Sequence, residues 1–458
     1  MSARPVVVRG ARVAVLGLAR SGSAAARLLS REGASVHASD VSSTPAVEAA
    51  AARLRDEGIA AVAGGHDPTR LSASDWIVVS PGIPLEAPAL AEAAGRGIPV
   101  FAELEVASWF AEAPIVAITG TNGKTTTTAL LGAIAGTAGL EASVAGNIGR
   151  PFSAAVMEEA APDWFVLEVS SFQLAGIDGF RPRIAIVLNL TSDHLDRYPD
   201  MAAYRRDKER IAENQGPGDH LGLNAEDPAL ATFAEGRPPR RHAFHRTQTV
   251  VSGATAAGGR IALVGVPDAG PVLAADELAL PGAHNLQNAL AASLAASLMG
   301  IDRAAIAAGL ASFHGVPHRL ETVAELDGVR YVNDSKATNV DAALVALEAF
   351  DGPLVVILGG RHKGSSYAPL SPALKRARAV LAIGEAAPLI ERELGAAVPV
   401  ELAGTLERAV ERARAIAHPG DVVLLAPACS SYDQFADYEE RGARFRELVG
   451  PAAAGRQA

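Results

Sequence analysis

Three times along the chain a short apolar run of β-type residues ends at a glycine-containing turn and gives way to a helical pattern. The runs are Val13-Ala14-Val15-Leu16 before GLARSG, Ile115-Val116-Ala117-Ile118 before TGTNGKTT, and Leu354-Val355-Val356-Ile357-Leu358 before GGRHKG. A short run with no polar alternation is what a strand buried on both faces requires, so each reads as a parallel strand followed by a loop and a helix. The pattern predicts an α/β fold built on mostly parallel sheets. In open sheets of this kind ligands gather at the C-terminal ends of strands, so each third of the chain carries its own candidate site.

A single hydrophobic core stops growing well short of 458 residues, and the length predicts three domains. Between Phe101 and Pro114 the stretch FAELEVASWFAEAP reads as a helix running into a proline-containing connection. Gly315-Val316-Pro317 breaks a helical region rich in Ala and Leu. The boundaries expected are therefore 1–111, 112–314 and 315–458. Within the middle segment, residues 245–275 read as a β-hairpin excursion.

Composition narrows the function. Half the residues are apolar but only 5% are aromatic, which suits Ala- and Gly-rich helices packed closely on sheets. The net charge of -10 comes from scattered acids with no basic tract, which argues against a nucleic-acid partner. The one cysteine, Cys429, excludes an internal disulfide framework. The start MSARPVVVRGARVAVLG is too short and too Gly-interrupted for a secretory signal, and no apolar run reaches the length of a membrane span. A cytoplasmic protein with no membrane partner, acting as a monomer, is expected.

The densest chemistry lies in GTNGKTT. Gly120 and Gly123 permit positive φ, so successive N–H groups of Thr121, Asn122 and their neighbours can point at phosphate oxygens at the start of a helix. Lys124 can neutralise terminal phosphates, and the Thr125 hydroxyl can ligate Mg²⁺. The general phosphate loop has glycine where this chain has Ile118, so the loop alone leaves an ordinary Gly/Thr turn open. Trp164-Phe165-Val166-Leu167 ends in Glu168, a strand-end carboxylate able to hold the same ion. A further strand, in LNLTSDHLDRYPD, ends near Asp193, His194 and Asp196, of which His194 is a possible ligand. Lys208, in the charge-rich helix YRRDKERIAEN, reads from its spacing as part of a solvated face.

GLARSG, from Gly17 to Gly22, with Asp40 at the end of HASD, invites a dinucleotide reading. Ala19, however, stands at the middle glycine, where the backbone must approach the pyrophosphate most closely. Ser80-Pro81-Gly82 reads as a plain turn or as the opposite wall of the same crevice.

Taken together, GTNGKTT, EVSSFQL (168–174), HLDRYP (194–199), PGAHNLQNALAA (281–292), PHRLE (317–321), NDSKATN (333–339) and GGRHKG (359–364) occur in the order found in the Mur ligases. The chain resembles that family from about residue 12 to 446, and NDSKATN with PACSSYDQF (427–435) is similar to the branch that adds D-glutamate. The resemblance implies a Rossmann-like UDP-binding domain, a central P-loop-type ATPase domain and a C-terminal Rossmann-like domain. It also implies an ATP-dependent amide bond between the L-alanyl carboxylate of UDP-N-acetylmuramoyl-L-alanine and D-glutamate, through an acyl phosphate, in peptidoglycan synthesis.

Carried over position by position, the resemblance has Gly120, Thr121, Asn122, Gly123, Lys124, Thr125, Thr126 and Thr127 cradle ATP. His284, Asn285 and Asn288 would hold its adenine and ribose, and Arg319, Asp334 and Lys336 would reach it from the third domain. It implies two Mg²⁺ ions, one between Thr125 and Glu168, the other by Glu168, His194 and a carbamate on Lys208. Leu18, Ala19, Arg20 and Ser21 would line the diphosphate of the UDP substrate, Asp40 its uracil, and Ser80, Pro81 and Gly82 the opposite wall. Asn147, Gly149, Ser170 and Gln173 would position the sugar and lactyl-alanine arm. Thr338, Lys363, Ser431 and Tyr438 would bind D-glutamate. The competing readings are a non-catalytic nucleotide switch, a NAD-dependent dehydrogenase, and a sibling ligase that adds a different amino acid or adds glutamate to folate.

Overall fold

The computed structural model describes residues 7–84, 87–147, 149–191, 197–280, 282–362 and 364–450. The chain divides into two compact units, Met1–His314 and Gly315–Ala458. No helix among the described residues is long and apolar enough to cross a membrane.

The first unit contains two sheets. One has five parallel strands, β1 (Arg12–Leu16), β2 (Ser35–Asp40), β3 (Ala60–Ala63), β4 (Trp76–Val79) and β5 (Val100–Ala102), in the order β3-β2-β1-β4-β5. The strand order reverses between β1 and β4, so the loops after these two strands, GLARSG and SPG, flank one crevice.

The second sheet has nine strands: β6 (Ile115–Thr119), β7 (Ala142–Gly146), β8 (Trp164–Glu168), β9 (Ile184–Val187), β10 (His220–Asn224), β11 (Arg240–His245), β12 (Gly253–Thr255), β13 (Arg260–Val264) and β14 (Gly270–Ala274). Their order is β14-β13-β12-β11-β10-β9-β6-β8-β7. β6 runs parallel to both β8 and β9, with Ile118 opposite Glu168 and Thr119 opposite Val187. That register sets the start of GTNGKTT beside the carboxylate that ends β8.

Residues 245–275 contain the expected antiparallel hairpin, but it does not stand off from the sheet. β12 joins β11 in parallel, and β13 and β14 add antiparallel, so the segment extends the sheet. The reason is burial: Ile261 and Leu263 pack in the same core as Leu290 and Leu294 of the helix Ala283–Leu298.

A second core of this unit joins its two sheets. Leu28, Ala102 and Leu104 pack with Phe152, Phe165 and Leu174. A polar lock lies beside it. Glu105, 1% exposed, accepts hydrogen bonds from the backbone N–H groups of Asp178 (2.9 Å), Gly179 (3.0 Å) and Phe180 (2.8 Å) and from the Trp109 indole (2.8 Å).

The second unit has one sheet: β15 (Glu321–Leu326), β16 (Val329–Asn333), β17 (Leu354–Gly359), β18 (Ala377–Ile383), β19 (Val400–Gly404) and β20 (Val422–Leu425). The order is β15-β16-β20-β17-β18-β19, all parallel except the β15–β16 pair. β20 is inserted between β16 and β17, so the loops that follow these three strands, DSKATN, PACSS and GGRHKG, emerge side by side. After β17 the expected full helix is replaced by a four-residue one, Ser371–Leu374, with proline in its first turn.

Replacing Glu105 by alanine leaves buried N–H donors without an acceptor. A loss of about 3 kcal/mol is expected. Scanning calorimetry at neutral pH should show a lower Tm than for the parent; an unchanged Tm would mean the lock contributes nothing.

Candidate active site

Gly123 carries φ +82° and is the N-cap of the helix Lys124–Thr137. A Cβ there would come within 2.4 Å of Asn288 Oδ1, so both backbone conformation and space demand glycine. The turn directs the first N–H groups of the helix into the loop, which is the arrangement that receives anions. The loop is pinned from β9's side. Thr121 N–H donates to Asn189 O (3.0 Å), Thr121 Oγ1 donates to Thr191 O (3.1 Å), and Asn122 N–H donates to Asn189 Oδ1 (2.7 Å). Lys124 Nζ donates back to the carbonyls of Gly120 (2.9 Å) and Thr121 (2.7 Å). Thr125, Thr126 and Thr127 are buried at the start of the helix.

Glu168 is 2% exposed, and each of its oxygens has a partner. Thr125 Oγ1 donates to Oε2 at 2.7 Å and Asn147 Nδ2 to Oε1 at 2.9 Å. Lys208 does not lie on a solvated face. It is 1% exposed, donates from Nζ to Gly120 O at 2.9 Å, and sits 4.6 Å from the centre of the Tyr204 ring. The charge pattern of its helix misled because Tyr204 and Lys208, four residues apart, share the inward face. Tyr204, which the motif reading missed, places its hydroxyl 3.3 Å from Thr121 Oγ1. That i,i+4 spacing was the available signal.

Asp193, His194 and Asp196 lie outside the described residues, as does Lys363. Among the described residues no group of three or more His, Cys, Asp or Glu side chains is placed to hold a metal. Asn288 is buried against Gly123, while Asn285 is half-buried and His284 exposed one turn earlier. None of the three caps its helix; the N-cap is Gly282.

In the first sheet, Asp40 accepts from the N–H groups of Leu18 and Ser42, both at 2.8 Å, and so holds the loop after β1. The Leu18 side chain is buried in the core, whereas Ala19 and Arg20 are exposed and Ser21 is half-buried. Ser80 Oγ lies 3.4 Å from Gly17 O, which brings the two crevice loops into contact; Pro81 is half-buried and Gly82 exposed. Two arginines cross between the sheets here: Arg20 donates to Gly149 O, and Arg197, packed 4.2 Å from the Phe172 ring centre, reaches Pro81 O at 3.5 Å. Ser170 and Gln173 bind each other in a capping box. Ser170 Oγ accepts from Gln173 N–H (3.2 Å), and Gln173 Oε1 accepts from Ser170 N–H (3.0 Å).

In the second unit, Lys336 Nζ lies 5.3 Å from the centre of the Tyr438 ring, and Ser335 Oγ donates to Tyr438 O at 2.8 Å. Ala428 N–H donates to Ala337 O at 2.8 Å, joining the loops after β20 and β16. Arg441, fully buried, spans both loops through Ser335 Oγ, Ser335 O and Cys429 O. It follows Tyr438 by three residues on one helix face and was also missed. Thr338 is half-buried on the first of these loops and Ser431 buried on the second. Asp334 accepts from Leu320 N–H at 3.3 Å. Burial pushes its carboxyl up to about 6, against the opposing pull of Arg319, the Leu320 N–H and Lys336. Cys429 is buried with Sγ 2.9 Å from the Tyr367 hydroxyl.

A phosphate-type loop beside a buried carboxylate, with a two-loop crevice on a second parallel sheet of the same unit, is the geometry of a nucleotide-binding α/β protein. The chain belongs to the Mur ligase family: residues 11–102 match the MurD-like N-terminal domain, 118–296 the Mur ligase middle domain and 318–429 the Mur ligase glutamate ligase domain. It is 48% identical over 457 residues to the UDP-N-acetylmuramoylalanine–D-glutamate ligase of Salinibacter ruber, covering 97% of this chain and 99% of that one. It is 47% identical over 445 residues to the enzyme of the same name from Acidobacterium capsulatum, covering 96% of each. Among solved structures it shares the fold of the UDP-N-acetylmuramate-alanine ligase of Thermotoga maritima, with a TM-score of 0.59 at 20% identity over 95% of this chain and 98% of that one. The pseudomurein peptide ligase type C of Methanothermus fervidus gives 0.58 at 21%, over 96% and 99%.

Two outcomes are expected. Gly123→Ala should abolish ATP binding measured by calorimetry while the chain stays folded; retained affinity would mean that the loop tolerates a side chain and is not the phosphate site. Asp334 holds its proton more tightly when folded than unfolded, where its value is about 3.9. Its contribution to stability is therefore complete below that value and is lost as pH rises through about 6. Compared with Asp334→Asn, the ligand-free parent should lose thermal stability across this window; parallel profiles would show an ordinary carboxylate.

Proposed function

We propose that this chain transfers the γ-phosphate of ATP to the L-alanyl carboxylate of UDP-N-acetylmuramoyl-L-alanine and then joins the activated carbon to the amine of D-glutamate, a step of peptidoglycan synthesis. The observation that carries the reading is the register of β6 against β8, which sets the loop after β6, with Thr125 bonded to Glu168, at the end of β8. A carboxylate is a poor electrophile, and its attack on a phosphoryl group brings two anions together. Lys124 supplies positive charge to that approach, and the helix N-terminus after Gly123 orients the phosphates. Phosphate then leaves with one of the carboxylate's oxygens as the amine attacks.

Thr125 Oγ1 and Glu168 Oε2, 2.7 Å apart and buried, are the hard oxygen donors that Mg²⁺ takes. A bound Mg²⁺ supplies further positive charge at the transferring phosphoryl group. A second ion by Glu168, His194 and a carbamate on Lys208 belongs to the same reading, supported for Lys208 by its burial against the Gly120 carbonyl. Residues 1–111 take the UDP substrate in the crevice between Leu18–Ser21 and Ser80–Gly82, with Asp40 at its edge and Asn147, Gly149, Ser170 and Gln173 toward the alanyl arm. Residues 112–314 take ATP, with His284, Asn285 and Asn288 on its nucleoside. In 315–458, Arg319, Asp334 and Lys336 act on the nucleotide side and Thr338, Lys363, Ser431 and Tyr438 bind D-glutamate.

Phosphate release from ATP with UDP-N-acetylmuramoyl-L-alanine and single amino acids tests the assignment. D-Glutamate should stimulate release; stimulation by L-lysine or diaminopimelate but not D-glutamate would keep the family and overturn the substrate. Lys208→Ala should cut turnover by roughly 100-fold, with partial recovery on adding a short carboxylic acid in place of the carbamate. A near-normal rate in that variant would remove Lys208 from the chemistry.

A further inference from the structure

A cavity of about 390 Å³ opens at the N-terminal ends of β6, β9 and β10, at the end of the nine-stranded sheet opposite GTNGKTT. Its volume falls in the range of small-molecule sites. One wall is the connection out of the first sheet, with Trp109, Pro114 and Ile115; the other carries Arg181, Arg183 and Asp219.

The charges on the second wall are unevenly matched. The Asp219 side chain is 2% exposed, and its Oδ2 accepts from Arg181 Nε and from Gly216 N–H, both at 2.7 Å. Arg183 Nη1 lies 3.6 Å from Oδ1, close enough for charge attraction but too far for a hydrogen bond. Two guanidiniums thus share one carboxylate. Among the described residues Arg183 makes no side-chain hydrogen bond, and Arg181 uses only Nε. Glu105 also borders the cavity, but its carboxylate is taken up by the four N–H donors of its lock. Arg240 adds a further positive charge on the next strand: burial first, then Arg240 and Arg183, hold the neighbouring His220 imidazole below its ordinary value.

We propose that this cavity binds a small organic carboxylate, held by the guanidinium forks of Arg183 and Arg181 with its apolar body against Trp109 and Pro114. A planar guanidinium matches a carboxylate through paired N–H donors, and a fork whose N–H groups make no side-chain hydrogen bond among the described residues is the group such a ligand would satisfy. The ligand would lie against the connection between the two sheets of the first unit, far from the phosphate loop along the strands. Nothing in this inference depends on the amide-forming reaction.

The full chain can be titrated by calorimetry with 3-phenylpropionate, its neutral amide, and inorganic phosphate. The carboxylate should bind the parent and Lys124→Ala alike, which separates this cavity from the phosphate loop. Arg183→Gln should weaken binding about tenfold or more. Its side chain is 53% exposed, so the substitution leaves the fold intact, which circular dichroism checks. The amide and inorganic phosphate should each bind more weakly than the carboxylate. Absence of carboxylate binding at millimolar concentration, equal binding of the amide or of phosphate, loss in Lys124→Ala, or no change in Arg183→Gln would each overturn the proposal.

Discussion

The first unit is organised around the buried carboxylate of Glu168. Removing a carboxylate from water costs several kcal/mol unless donors replace the lost hydration. Here the donors are the Thr125 hydroxyl and the Asn147 amide, and they come from two different loops. Thr125 stands at the start of the helix after β6, and Asn147 directly follows β7. Satisfying one charge therefore fixes two loops on either side of β8. The same carboxylate cannot be moved by one position, because the parallel register that places it is shared by the whole apolar run of β6.

Around that charge the rest of the site is held by backbone geometry rather than by ion pairs. Gly123 lets the chain turn into its helix against Asn288, Lys124 folds back on the Gly120 and Thr121 carbonyls, and Lys208 donates to the Gly120 carbonyl. The Gly120 carbonyl accepts from both lysines, so an anion drawing Lys124 away would leave Lys208 in place. The second unit repeats the principle with different chemistry. The loops DSKATN and PACSS are joined through Arg441 and the Ala428–Ala337 bond, Arg361 N–H ties GGRHKG to Ser430 O, and Asp334 is buried deeply enough to hold its proton into mildly acidic solution.

How much of this was legible in the sequence depends on whether the determinant was local. The three buried strands and their glycine turns followed from uninterrupted apolar runs, because burial on both faces leaves that mark directly. The positive φ of Gly123 followed from its place before a helical Lys-Thr pattern. Lys208 misled when read from residues alone: its helix is charged on most positions, and only the tertiary contact with Gly120 shows which face is inward. The Ser170–Gln173 capping box was present as a four-residue spacing but was read as substrate contact; Ser170 is half-buried and Gln173 buried at this helix start. The adjacency of DSKATN and PACSS was invisible to any local pattern, since it arises from β20 inserting between β16 and β17 across most of the unit's length. Resemblance supplied the motif list; the sheet order shows why those motifs must stand together.

The central claim is that the γ-phosphate passes to a carboxylate before the amide forms. The most direct test uses UDP-N-acetylmuramoyl-L-alanine labelled with oxygen-18 in the alanyl carboxylate, with ATP and D-glutamate, and mass analysis of the released phosphate. An acyl phosphate requires one labelled oxygen in each phosphate released. Phosphate that carries none, while amide product accumulates, would contradict the account.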